Sequence, residues 1–232
     1  METHGSIAWR GADGRVHVRT STQTPHLTRI KLAYLFQMYP HELHVFSEHV
    51  GGGFGGKQEL MTEDLCVLAA LKTGRPVQWE LTRSEQFTST VSRHPMKITI
   101  KLGARKDGTL TAMQIHTVSN SGAYGNHGGE VLASSLGSAM ATYRCANKKG
   151  TAYAVYTNTV PSGAFRGYGA SQPALAIEFA IDELGRELGI DPFTMRRRNM
   201  IRAHDPVHSI WPFPHDGVIV REGQAAAREG AD

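Results

Sequence analysis

Five glycines occur within the six residues 51–56, and this run limits what the chain can fold into more than any other feature. Glycine loses more backbone entropy on folding than any other residue, so a dense run is costly unless the main chain must turn tightly or approach another group. Turns rich in glycine can direct successive peptide N–H groups at an anion or an oxo group. The run therefore predicts a loop that binds a polar ligand through its main chain.

Two nucleotide-binding loops are alternatives for this run. Gly51, Gly53 and Gly56 satisfy the dinucleotide fingerprint, which favours a nicotinamide- or flavin-binding protein. The same run with Lys57 resembles a phosphate-binding P-loop, but Gln58 stands where Ser or Thr would hold magnesium. A tight structural turn without a ligand is the third alternative.

Three further segments accompany the glycine run. They are Val-Arg-Thr-Ser-Thr-Gln-Thr-Pro at 18–25, Ser-Gly-Ala-Tyr-Gly at 121–125, and Pro-Ser-Gly-Ala-Phe-Arg-Gly-Tyr-Gly-Ala-Ser-Gln-Pro at 161–173. In this order and spacing, the four segments resemble the molybdenum-binding large subunit of the xanthine dehydrogenase and aldehyde oxidase family. The resemblance implies the first half of a molybdopterin-binding domain with a mixed α/β (α+β) fold.

The resemblance also implies a chemistry and its cofactors. Members of this family oxidise an N-heterocycle, such as a purine-like ring, or an aldehyde, with an oxygen derived from water. The expected cofactor is molybdopterin carrying Mo, in its cytosine dinucleotide form. Electrons leave through iron–sulfur clusters, and 2Fe-2S and FAD are expected only on partner chains. A small molecule is the expected substrate.

Roles for individual residues follow from the same resemblance. Gln23 is expected to hydrogen-bond the metal oxo group through its carboxamide, which can donate without titrating. Preorganised neutral donors of this kind stabilise charge that develops at an oxo group. The other expected site residues are Gly53, Phe54, Gly55 and Arg166 around the cofactor, and Gln58 and Tyr168 at the substrate. No protein metal ligand is expected, because the pterin sulfurs hold the metal.

The chain departs from the family in several ways. Family large subunits are far longer, and we expect a partial chain that lacks the α/β-hammerhead region and the second half of the molybdenum domain. That second half carries the general base, and Glu222-Gly223 does not match its Gly-x-Gly-Glu element. No catalytic base is predicted here, so a truncated, non-catalytic remnant is an alternative. A chain with the missing half is an expected partner.

Substrate-determining positions also differ. Gln58 replaces the Glu of purine-oxidising members, and Ser134 stands nearest to their arginine, so xanthine itself is not specifically predicted. The carbon-monoxide-oxidising branch has a Cys-containing loop, whereas Ser162-Gly163-Ala164 precede Phe165 here. That branch is not favoured.

Composition limits the remaining functions. A formal net charge of +4 does not require nucleic acid, and Arg196-Arg197-Arg198 is interpreted as a solvated helix face. Two cysteines cannot ligate a four-thiolate iron–sulfur cluster, so clusters would lie on other chains. We expect no zinc site at the histidine pairs 41/44 and 204/208. We also expect no membrane span. Low cysteine content and no signal peptide favour the cytoplasm.

Periodicity predicts the elements along the chain. Residues 1–215 are expected to form the domain and 216–232 a disordered tail. Strands are predicted at 16–19, 43–50, 77–81 and 151–156, and a hairpin at 97–119 around Asp107-Gly108. Helices are predicted at 26–38, 59–73, 172–188 and 192–199, and residues 122–137 as a packed irregular segment.

Overall fold

The computed structural model describes residues 1–202. They form two compact units, each assembled from separate stretches of chain. Unit 1 contains Met1–Arg93, Ser121–His127 and Tyr156–Arg166. Unit 2 contains His94–Asn120, Gly128–Val155 and, among the described residues, 167–202. The mixed α/β fold class is confirmed.

Unit 1 is built on a four-stranded sheet in the order β3-β2-β1-β4. Its strands are β1 (Gly5–Arg10), β2 (Val16–Thr20), β3 (Leu43–Phe46) and β4 (Val77–Glu80). Strands β2 and β3 are parallel, and β1 is antiparallel to both of its neighbours. The pattern did not predict β1, and β3 ends four residues earlier than predicted.

Helices cover one face of this sheet. They are α1 (Pro25–Leu35) and α2 (Glu63–Thr73), and α3 (Arg83–Ser89) follows β4. Alternate strand residues and the inner faces of α1 and α2 form the core, which contains Ala8, Val16, Val18, Leu32, Ala33, Leu43, Cys66, Val67 and Ala70. Cys66 is a buried free thiol, and burial raises its pKa.

Unit 2 combines a three-stranded sheet with helices. Its elements are β5 (Met96–Ala104), β6 (Leu110–Gly122), α4 (Gly128–Thr142), β7 (Asn147–Tyr156), α5 (Ser171–Leu188) and α6 (Pro192–Asn199). The predicted hairpin is confirmed, with Gly108 at φ +87° in its turn. Buried Asn199 holds that turn, since it donates to the Gly108 carbonyl and accepts from Leu110 N–H.

Several sequence expectations were wrong. Residues 128–142 form α4, not an irregular segment, and α2 begins at Glu63 rather than at residue 59. Helical periodicity also did not identify the buried faces: Ile177 and Ile181 of α5 are buried, whereas Phe179 is 60% exposed. Of the leucines in α1 and α2, Leu32 is buried, whereas exposures between 37% and 53% are found for Leu27, Leu35, Leu65, Leu68 and Leu71.

The arginine run at 196–198 is partly a solvated face, because Arg197 and Arg198 are exposed and Arg196 is half-buried. Arg196 forms ion pairs with Glu178 and Asp182 of α5, and Arg198 pairs with Asp107. The predicted tail at 216–232 lies outside the described residues. No helix within residues 1–202 is long and apolar enough to cross a membrane.

Candidate functional site

The side chain of Gln23 is bound into the glycine loop, which we define as residues 51–56. Its Oε1 accepts hydrogen bonds from Gly55 N–H at 2.9 Å and from Lys57 N–H at 3.2 Å. The main-chain N–H of Gln23 donates to the Lys57 carbonyl at 2.8 Å. Because two donors face the carboxamide oxygen, the nitrogen Nε2 is the end left to donate elsewhere, and Gln23 is exposed.

Two glycines of the loop allow side chains to pack closely against its main chain. A Cβ at position 53 would overlap Cδ of Gln23, so any side chain there would expel the carboxamide. A Cβ at position 51 would lie 2.8 Å from a carboxylate oxygen of Glu2. The glycines are therefore required by close contacts as well as by the turn itself.

Three residues of the glycine loop have backbone conformations with a positive φ. The φ values are +91° for Gly52, +51° for Phe54 and +89° for Gly55. Phe54 is one of the few non-glycine residues among residues 1–202 with a positive φ. The N–H groups of Gly52, Gly53 and Phe54 donate no hydrogen bond to any residue in the described part of the chain. Successive free amides in such a turn form a concave site for an anionic or oxo ligand.

Lys57 braces the loop from inside unit 1. Its side chain is completely buried, and Nζ lies 2.7 Å from Oε1 of Glu2. The same oxygen accepts from Gly51 N–H at 2.7 Å. Burial alone would raise the pKa of Glu2, but the hydrogen bonds from Lys57 and Gly51 outweigh it and lower that pKa.

A second loop meets the glycine loop at Gly55. We call residues 161–166 the Phe-Arg loop. A Cβ on Gly55 would lie 3.1 Å from both N and Cα of Phe165, so only glycine permits this approach with a φ of +89°. Arg93 stacks over the Phe165 ring, with Cζ 4.8 Å from the ring centroid, and donates to the Arg166 carbonyl.

The structure brings most of the predicted site residues into one region of unit 1. That region contains Gln23, Gly53, Phe54, Gly55 and the main chain of Arg166. Gln58 follows directly and is half-buried, and its carbonyl accepts from Lys31 Nζ at 3.4 Å. Tyr168 belongs to unit 2, where it has a φ of +30°.

Sequence reasoning missed three supporting interactions. These are the Lys57–Glu2 ion pair, the Arg93 contact with Phe165, and a pair between buried Glu59 and partly exposed His127. Glu59 and His127 are 68 residues apart, so no local pattern connects them. The adjacency of His127 to the Ser-Gly-Ala-Tyr-Gly segment was the only available signal.

The geometry disfavours both nucleotide-binding alternatives. In a dinucleotide-binding loop the last glycine opens the following helix, whereas here residues 57–62 separate Gly56 from α2. A P-loop lysine must reach phosphates, but Lys57 is buried against Glu2.

Comparisons with known proteins identify the class of domain. Residues 1–200 match the family described as the molybdopterin cofactor-binding domain. The chain is 42% identical over 205 residues to a protein of Escherichia coli O157:H7 named probable hypoxanthine oxidase XdhD, covering 88% of this chain and 21% of that protein. It is 36% identical over 207 residues to the xanthine dehydrogenase molybdenum-binding subunit of the same organism, covering 88% of this chain and 27% of the relative.

Solved structures agree with the sequence relatives. The aldehyde oxidoreductase from Desulfovibrio gigas superposes with a TM-score of 0.84 at 30% identity, covering 99% of this chain and 25% of that chain. This chain belongs to the molybdopterin cofactor-binding domain family, and the relatives that it matches include a xanthine dehydrogenase molybdenum-binding subunit and an aldehyde oxidoreductase. It spans between a fifth and a third of the length of these relatives.

Proposed function

We propose that this chain is the cofactor-facing part of a molybdenum hydroxylase that oxidises a purine-like N-heterocycle or an aldehyde. The observation that carries the proposal is the convergence at Gly55. Its N–H binds Gln23, and its missing Cβ admits Phe165 of the Phe-Arg loop. One glycine thus joins three of the four segments on which the family resemblance depends.

The residues present fit a molybdenum–pterin group. The free N–H groups of Gly52, Gly53 and Phe54, together with Gln23 Nε2, offer neutral donors at an exposed turn. The absence of a side chain at Gly53 leaves room for the Gln23 carboxamide beside these N–H groups. When bound, the cofactor supplies the two-electron redox chemistry by which a water-derived oxygen enters the substrate.

The contribution of this chain is to bind and orient. Gln23 cannot rotate freely, because two main-chain donors hold its oxygen, so its N–H₂ group is preorganised. Preorganised neutral donors stabilise developing negative charge without reorganising during the reaction. Arg93 fixes the Arg166 carbonyl and the Phe165 ring, which keeps the Phe-Arg loop in place.

We assign Gln58 and Tyr168 to the substrate, and a cytosine dinucleotide form to the cofactor. We assign the general base, the 2Fe-2S clusters and FAD to parts of the enzyme that lie outside the given sequence. The names of the relatives support a purine-like or aldehyde substrate, because they include a probable hypoxanthine oxidase and an aldehyde oxidoreductase. We place the assembly in the cytoplasm.

Purification of the chain with its co-encoded partners tests the proposal. We expect the complex to contain molybdenum and a fluorescent pterin in equal amounts, and to oxidise hypoxanthine, an N-heterocycle or an aldehyde. A folded complex that never carries molybdenum or pterin would refute the proposal. Such an outcome would favour a non-catalytic protein.

A further inference from the structure

Glu59 is a buried acid that the proposed function has not used. Its residue is only 6% exposed, and it follows Gln58 at the exit from the glycine loop. Oε1 lies 2.6 Å from His127 Nδ1 and accepts from Ala164 N–H at 3.4 Å. One carboxylate oxygen therefore connects three separate segments of unit 1.

The packing around this oxygen is close. A Cβ at Gly163 would lie 2.5 Å from Glu59 Oε1 and 2.8 Å from Val91 Cβ, so only glycine allows the Phe-Arg loop to approach. The second oxygen, Oε2, is buried and accepts no hydrogen bond from residues 1–202. Burying a carboxylate with one oxygen unsatisfied costs free energy. Stability alone does not explain an acid at this position.

The position relative to the glycine loop supplies an explanation. Ala164, whose N–H donates to Glu59, directly precedes Phe165, whose main chain lies against Gly55. A shift of Ala164 by a few tenths of an ångström would change the contact at Gly55. Because Gly55 N–H holds Gln23, such a shift would also disturb the carboxamide.

We propose that Glu59 and His127 are a positioning pair that holds the Phe-Arg loop against the glycine loop. The proposal rests on the proposed function, since the loops positioned are those assigned to the cofactor. His127 restrains the carboxylate by binding Oε1, and the carboxylate then holds the main chain at Ala164. Neither residue is assigned contact with substrate or cofactor.

Glu59→Ala and Glu59→Gln in the purified complex test the pair. The alanine variant loses both contacts of Oε1, and we expect amide exchange across residues 163–166 to rise on the order of tenfold, as for the loss of about one hydrogen bond. We expect its molybdenum and pterin content to fall several-fold. Glu59→Gln keeps an acceptor for Ala164 N–H and should restore most of both measurements.

Glu63→Gln is the matched control. Glu63 is also buried in unit 1, at 3% exposure, but its carboxylate binds Thr20 and the main chain of residues 61–62. It should lower stability without raising exchange at 163–166. Equal exchange in wild type and Glu59→Ala, or the same increase in Glu63→Gln, would overturn the positioning role.

If Glu59→Ala does not fold, two variants of His127 test the same positioning role. His127→Asn offers an amide near the place of Nδ1, whereas His127→Ala offers none. We expect the alanine variant to loosen residues 163–166 and the asparagine variant to restore them, and identical behaviour would overturn the proposal. Failure of the proposed function can be distinguished from failure of the positioning role. In the first case the wild-type complex would lack molybdenum and pterin, but amide exchange at residues 163–166 would still show whether Glu59 and His127 hold the Phe-Arg loop.

Discussion

Gly55 donates its main-chain N–H to Oε1 of Gln23 at 2.9 Å, across 32 residues of sequence. Lys57 N–H donates to the same oxygen at 3.2 Å. This double contact determines which end of the carboxamide is free. Gln23 therefore has two separable roles, as an acceptor that orders the glycine loop and as a donor to an external group.

Gln23→Ala and Gln23→Glu separate these two roles. Alanine removes the acceptor, so we expect faster amide exchange at Gly55 and Lys57 and a stability loss of about 0.5–1.5 kcal/mol. Glutamate keeps an acceptor oxygen but removes the Nε2 donor. This variant should preserve the protection of the Gly55 and Lys57 amides from exchange while reducing molybdenum content or turnover. If Gln23→Glu retains both cofactor and turnover, the donor role is wrong.

Gly55→Ala tests the approach of the Phe-Arg loop. Gly74→Ala is its control, because Gly74 also has a positive φ, +66°, but no atom lies within 4 Å of its Cβ position. An L-residue in the left-handed region costs roughly 1–2 kcal/mol at either position. We expect Gly55→Ala to cost more and to increase amide exchange at residues 163–166 as well. Equal stability losses, with an undisturbed Phe-Arg loop, would contradict the close contact.

Glu2→Gln tests the brace beneath the glycine loop. The variant leaves the completely buried Lys57 ammonium without its carboxylate partner. We expect a stability loss of about 1.5–3 kcal/mol, in the range for hydrogen bonds to charged groups. Lys57→Met is the matched change that removes the buried charge. In a Glu2→Gln background it should recover stability, and a further loss would mean that the pair is not coupled.

The same pair makes unfolding depend on pH. The pKa of Glu2 is lowered in the folded protein, so the folded state binds fewer protons than the unfolded state. The stabilisation is present above the ordinary value of 4.5 and is lost as the pH falls below it. Denaturant unfolding between pH 6 and pH 3, values chosen to bracket this titration, should show a smaller drop for Glu2→Gln than for wild type. Parallel curves would exclude Glu2 as a contributor.

Arg196→Ala tests the network that joins α5 and α6 in unit 2. Arg196 binds Glu178 and Asp182, and Tyr143 O–H donates to Glu178 at 2.7 Å. Burial and this hydrogen bond raise the pKa of Tyr143. We expect the variant to lower the melting temperature by roughly 2–4 °C, as for a loss of about 1 kcal/mol.

Arg196→Lys is the control for charge alone. Lysine keeps the positive charge but cannot bind two carboxylates with a planar fork, so it should recover only part of the loss. Full recovery would show that geometry is unimportant in this network. An unchanged melting temperature for Arg196→Ala would show that the ion pairs do not stabilise unit 2.

Much of the local structure follows from short sequence patterns. Asp107-Gly108 predicts the hairpin because a turn needs a positive φ at its glycine, and Gly108 has φ +87°. Gly189 ends α5 at φ +67°, and the Asp191 side chain accepts from Thr194 N–H to begin α6. These signals work because cause and effect lie within a few residues.

The buried faces of the helices could not be predicted in the same way. Leucines on α2 follow a helical period, yet Leu65 is 48% exposed while Cys66 and Val67 face the core. The helix has apolar residues around much of its circumference, so periodicity does not select one side. The sheet of unit 1 makes that selection, because α2 packs on β1.

The candidate site was likewise predictable from the sequence only in its local features. The amino-acid order by itself determined the glycine loop, its unusual backbone and its likeness to a molybdenum-binding subunit, because glycine content and short ordered motifs are local properties. Only the tertiary structure decided that Gln23 Oε1 serves Gly55 and Lys57, that Lys57 is buried against Glu2, and that Glu59 meets His127. These partners are between 32 and 68 residues apart, and packing of the folded chain brings them together.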